Sequence, residues 1–239
     1  MDKVVTALIA IISGVVASVL TASVSRWFEK RNQDRFTVEK YSRPIWLACR
    51  LLRFRLVHIV EKLKDPDGNA AKVLNWQGDA AGRGITWMNG YGYFITSTAY
   101  LLSTVSSWFH IVDRKVIFLP FQNQSIADQF LRLVTSVKQD LTTNTSLWFH
   151  YYAGLGQMLL DKEENQPMTF GQFVLRLNND FEFRQYFDQL FYGFLHETGE
   201  GRDTTQIEKA IASLEALLLF LSEYAGLPSA ESTTKGGIA

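Results

Sequence analysis

The 21 residues VVTALIAIISGVVASVLTASV, Val4–Val24, carry no charge, and the chain turns basic immediately after them with SRWFEKRNQDR. A bilayer core of about 30 Å is crossed by roughly 20 apolar residues in a helix, so the run predicts a transmembrane helix. A helix on the outside of a folded domain normally carries a polar face, and this run has none. A cleavable signal peptide is the rival reading. Such peptides begin basic and have an apolar centre of about 7–15 residues. Here the start is Met-Asp-Lys and the run is longer, although the small residues of TASVS keep that alternative open.

The flanks predict an orientation. Lys3 alone precedes the run, whereas Arg26, Lys30, Arg31, Arg35, Lys40 and Arg43 follow it. Positive residues stay on the cytoplasmic side of a membrane. The expectation is a single-pass protein of the cytoplasmic (inner) membrane, N-terminus outside and main domain in the cytosol. Trp27 and Phe28 fall where interface aromatics are expected. Ala10, Gly14, Ser18 and Ala22 recur every four residues and form a ridge of small side chains on a helix. Such ridges allow close helix association in lipid, as a homo-oligomer or with a partner span. Small residues are also common in spans that stay single.

Charge is polarised although the total is zero. Arg26–Lys64 holds eleven Lys/Arg against four Asp/Glu, a net +7; from Asp65 onward there are twelve against nineteen, a net −7. Arg43, Arg50 and Arg53 fall within about a quarter of a helical turn. With Arg26, Lys30, Arg31 and Arg35 they predict a basic surface against an anionic inner leaflet, worth about 1 kcal/mol per side chain. Topology determination accounts for the same charges without a specific lipid. Nucleic acid is not an expected partner, because the acidic distal part repels it.

The rest of the chain reads as helices. Ser42 and Pro44 predict an N-cap and first-turn proline for a helix to Lys64, with Ile45, Trp46, Leu52, Leu56, Ile59, Val60 and Leu63 as its apolar face. Asp65–Tyr91 is broken by glycines, with a short helix expected near Ala70–Trp76. YFITSTAYLLSTVSSWFHIVD, which follows Gly92, has the length of a second span. Its many serines and threonines and its internal tyrosines favour a buried helix instead. VIFLPF, residues 116–121, has strand composition interrupted by Pro120. Helices are expected over Gln124–Asp140, Leu147–Leu160, from a Thr169 cap through FGQFVLRL, over Phe181–His196, and from Thr204 or Thr205 to Tyr224. Aromatic residues, 13% of the chain, supply the material for helix seams. A single cysteine, Cys49, excludes an intrachain disulfide and reads as a small buried hydrophobe.

KYSRPIWLACRLLRFRLVHIV, residues 40–60, and STAYLLSTVSSWFHIVDRKVIFLPF, residues 97–121, together resemble a group of uncharacterised bacterial proteins. In that group a similar arginine-rich helix precedes a similar aromatic segment, sometimes behind an N-terminal span. The resemblance implies a bacterial origin and a helical domain, and it carries no activity.

No signature of catalysis or cofactor binding emerges, so no catalytic, cofactor or metal residue is assigned. GDAAGRG, residues 78–84, lacks the spacing and lysine of a phosphate loop. His58, His110, His150 and His196 are scattered. In HETGEGRD the residues His196, Glu197, Glu200 and Asp203 have metal-ligand chemistry, but ending one helix and capping the next explains them equally. DKEEN, 161–165, is a second acidic loop.

The sequence thus predicts a mainly α protein. One N-terminal transmembrane helix with a basic extension occupies 1–36, a six- or seven-helix cytoplasmic domain 37–227, and a disordered tail 228–239. The expected function is a membrane-anchored interaction module, a scaffold or adaptor with an unidentified protein partner. A membrane effector of bacterial stress or phage defence that oligomerises through its span is the alternative. A membrane-surface enzyme using the acidic loops is the second alternative.

Overall fold

The computed structural model describes residues 38–64, 84–90, 92–115, 124–143, 147–161, 165–195, 198 and 204–228. The described chain is helical almost throughout. Its α-helices are Arg43–Lys64 (α1), Ile85–Asn89 (α2), Tyr93–Lys115 (α3), Gln124–Thr142 (α4), Phe149–Leu159 (α5), Phe170–Asn179 (α6), Phe181–Asp188 (α7) and Thr205–Ala225 (α8). Leu160–Asp161 (β1) and Gln166–Pro167 (β2) pair antiparallel, with Leu160 opposite Pro167. π-Helical segments at Val38–Ser42 and Gln189–Leu195 lead into α1 and out of α7.

The five longer helices close a cycle around one core: α1 packs on α3, α3 on α5, α5 on α4, α4 on α8, and α8 returns to α1. A second layer of α6, α7 and the Gln189–Leu195 segment lies against α3 and α5. Its interior is aromatic. Phe173, Phe183 and Phe187 are fully buried, with ring centroids 4.7 Å apart for Phe183–Phe187 and 5.1 Å for Phe173–Phe187.

The single-pass architecture expected from the opening run is corrected here. Among the described residues no helix is long and apolar enough to cross a membrane. α1 is 22 residues long but carries Arg43, Arg50, Arg53, Arg55 and Glu61, and charges inside a span are expensive. The placement in an inner membrane, with the N-terminus outside and the domain in the cytosol, falls with that architecture. Val4–Val24 itself lies outside the described residues, as do the small-residue ridge, Trp27, Phe28 and the tail beyond Pro228. Among the described residues the α-helices number eight rather than six or seven, because α2 forms within the glycine-broken stretch, whereas α6 and α7 are the two separate helices expected.

α3 shows why a long uncharged segment stays inside a protein core. Thr96, Ser97, Thr98, Ser103, Thr104, Ser106 and Ser107 are all buried. Most return their hydroxyl hydrogen to their own helix: Ser103 Oγ donates to Ala99 O at 2.8 Å and Thr104 Oγ1 to Tyr100 O at 2.7 Å. Ser106 Oγ and Ser107 Oγ instead donate across the seam to Tyr152 O (2.6 Å) and Gly156 O (2.8 Å) of α5. The two backbones approach so closely that a Cβ on Gly156 would lie 2.7 Å from the Ser106 carbonyl carbon. Small residues therefore weld α3 to α5.

Local signals set the other boundaries. Thr169 caps α6, its Oγ1 accepting from Gln172 N while the Gln172 side chain accepts from Thr169 N, a complete capping box. Gly226, with φ 64°, ends α8 in the left-handed conformation that glycine adopts without penalty. Ser42 does not cap α1, since the helical winding already begins at Val38 as a π-turn. The expected helix over Phe181–His196 likewise changes to π winding at Gln189. A π segment disturbs the backbone pairing of the helix that runs into it. Tyr151 Oη repairs this one, accepting from Leu190 N at 3.1 Å and donating to Tyr186 O at 2.6 Å.

Candidate functional site

The sequence-predicted basic residues divide into three groups. Arg26, Lys30, Arg31 and Arg35 lie outside the described residues. Arg53 binds within the fold, its Nη2 2.6 Å and Nε 2.8 Å from Glu215 Oε1, tying α1 to α8. Arg43 and Arg50 remain. Arg43 is exposed and forms no ion pair among the described residues. The Arg50 guanidinium lies over two aromatic rings, 5.0 Å from the centroid of Trp46 and 5.5 Å from that of Phe54. Its Nε is buried without a hydrogen-bond partner, and so is the indole Nε1 of Trp46. Arg55, which the sequence did not single out, clamps α1 to α3: Nη1 donates to Phe94 O at 2.8 Å and to Thr98 Oγ1 at 3.2 Å. Burial lowers the pKa of that guanidinium.

Beside Arg43 and Arg50 runs a stripe of large apolar side chains. Leu47, Leu51 and Phe54 are 48%, 45% and 37% exposed. They are spaced four and three residues apart and so share one edge of α1, opposite Ile45, Leu52, Leu56 and Ile59 in the core. Between this edge and α3 lies a trough of about 240 Å³, lined also by Leu101, Thr104, Trp108, Pro44 and Pro167. Its volume approaches the lower end of ordinary ligand sites, and its lining is largely apolar. The 3–4 spacing is that of a coiled-coil seam, in which the stripe supplies the knobs and flanking positions choose the partner by charge. Arg43 and Arg50 occupy such flanking positions, on the α8 side.

A second cavity, of about 60 Å³, is lined by Ser106, His110, Asp113, Lys138, Phe149, Tyr152 and Ala153. Its charges are matched, Lys138 Nζ lying 2.6 Å from Asp113 Oδ2. Burial, with Arg114 adding to it, lowers the His110 pKa below the usual imidazole value. The volume is far below the roughly 300–1,000 Å³ of small-molecule sites.

The remaining residues of interest do not converge. His58 and His150 are exposed on α1 and α5; His196, Glu197, Glu200 and Asp203 lie outside the described residues. Among the described residues no group of three His, Cys, Asp or Glu is placed to hold a metal ion. Cys49 is 1% exposed at the centre of the core, and burial raises its thiol pKa well above the ordinary value.

Sequence reasoning missed Leu47, Leu51 and Phe54 because it sought one apolar face per helix. The signal was present, since α1 carries apolar residues on two opposite edges. A helix apolar on two edges has two neighbours or one uncovered edge. No family model, no curated protein and no solved structure matches this chain.

Proposed function

We propose that the helical bundle is a protein-interaction module, a scaffold or adaptor. Its α1/α3 trough receives an amphipathic helix of a partner protein. The observation that supports this reading is the exposure of Leu47, Leu51 and Phe54 on one edge of a well-packed helix, directly beside a largely apolar trough. Three large apolar side chains in helical register form a contiguous patch, and such patches mark contact surfaces. Helices dock into such troughs through residues at i, i+3, i+4 and i+7.

A photo-crosslinking residue placed at Leu51 in the full chain tests the reading in cells. The expected result is an adduct that maps by mass spectrometry to a helical segment of a different protein. A crosslinker at the exposed Gln129 of α4 should not give that adduct. Equal adducts from both positions, or none from Leu51, would remove the trough as the docking surface.

A further inference from the structure

Resting on that reading of the trough, we infer that the helix it receives is acidic: its apolar stripe is flanked by carboxylates that pair with Arg43 and Arg50. Charge complementarity carries the argument. Arg53 and Lys64 on α1 are committed to Glu215 and Glu208 at 2.6 Å each, and Arg55 to the α3 backbone, so these cations have internal roles. Arg43 and Arg50 have no ion-pair partner among the described residues, and both flank the apolar stripe on the same side.

Arg50 is prepared to receive a carboxylate. Trp46 and Phe54 both contact its guanidinium, at 5.0 and 5.5 Å from the ring centroids, so less side-chain freedom is left to lose on binding. Part of its desolvation has already taken place, since its Nε is buried and still lacks an acceptor. An arginine presents donors in a planar fork that suits a carboxylate in two-point contact.

The same charges disfavour two other occupants. A second copy packed antiparallel, stripe to stripe, would bring Arg43 and Arg50 to the same flank as their own equivalents, and like-charge juxtaposition is unfavourable. The apolar run Val4–Val24 of this chain contains no carboxylate to answer them. The consequence for the partner is a sequence pattern: Leu, Ile, Phe or Met in 3–4 spacing, with Glu or Asp at the adjoining positions on one side.

Two synthetic helical peptides of about three heptads test this against the full-length chain by fluorescence anisotropy. Both carry leucine in 3–4 spacing; one has glutamate at the flanking positions and the other lysine. The glutamate peptide is expected to bind roughly fivefold more tightly, as two partly exposed ion pairs would give. That preference should fade as salt rises from about 0.05 to 0.5 M, because screening shortens the reach of the charges. It should reverse in Arg43→Glu/Arg50→Glu, and the exposed Arg43→Glu alone should weaken it without disturbing the fold. Leu51→Asp, with an unchanged thermal midpoint, should abolish binding of both peptides. Equal binding of the two peptides that is lost in Leu51→Asp would overturn the acidic partner while keeping the trough. If neither peptide binds, a dimer that Leu51→Asp dissociates, or a Leu51 crosslink to Val4–Val24, would put a different occupant in the trough and overturn the inference. Absence of binding, dimer and crosslink together would remove the trough reading as well.

Discussion

Two edges of the bundle are apolar for different reasons. Along the α3/α5 seam the residues are small and uncharged, the serines donate across it, and Gly156 admits the opposing backbone. Along the outer edge of α1 the residues are large, and Leu47 and Leu51 remain nearly half exposed. The seam gains stability through contacts that only small side chains permit. The stripe is only partly covered by the described residues. An apolar segment can thus be read by what it touches: the seam is consumed by folding, the stripe is left over.

The comparison is broken most severely at the seam. Gly156→Val is expected to destabilise the protein by about 3 kcal/mol or more, since its first carbon already meets Ser106 backbone and neither helix can retreat freely. Chemical denaturation reads the loss, and a change below about 0.5 kcal/mol would mean the seam is not closed as described. Tyr151→Phe comes next. It removes the hydroxyl that joins Leu190 N to Tyr186 O, and the cost should be about 1–3 kcal/mol. Hydrogen exchange of the Leu190 amide should rise in that variant before exchange in α8 does.

Leu51→Asp marks the other side of the comparison. Its stability should stay within about 0.5 kcal/mol of the parent, as for an ordinary exposed position. A loss of several kcal/mol would show that the stripe belongs to the core after all.

The smallest expected effect is one of pH. His110 has its pKa lowered in the folded state by burial and by Arg114, so the unfolded chain binds the proton more readily. The contribution of this residue is therefore complete above the unfolded imidazole value of about 6.5 and is lost as pH falls from there through the lower folded value. Between about pH 7.5 and 5, the thermal midpoint of His110→Gln should fall less than that of the parent. An identical fall would mean that His110 carries none of the pH dependence.

Much of the helical core was legible in sequence because periodicity survives burial. Ile45, Leu52, Ile59 and Leu63 mark the inner edge of α1, and Thr169 with Gln172 announces α6 three residues apart. The fate of α3 could be read from its hydroxyls, most of which find acceptors inside the bundle. Other features depend on partners distant in sequence. Nothing near Arg53 indicates that Glu215, 162 positions later, neutralises it, whereas Arg50 has no ion-pair partner among the described residues. The π winding at Gln189 needs Tyr151 from α5, and no local rule supplies that. The single-span architecture expected from Val4–Val24 is overturned by the described helices. No described helix is long and apolar enough to cross a membrane, and α1 carries arginines along its length.

Cys49 turns the core into its own gauge. A lone thiol at the centre of the helical cycle, with its pKa raised by burial, resists alkylation while the bundle is closed. Its labelling rate therefore counts how often α1 parts from its neighbours. One unmodified residue supplies a clock for opening of the native protein, against which an added peptide or a substitution such as Gly156→Val registers as a slower or faster tick.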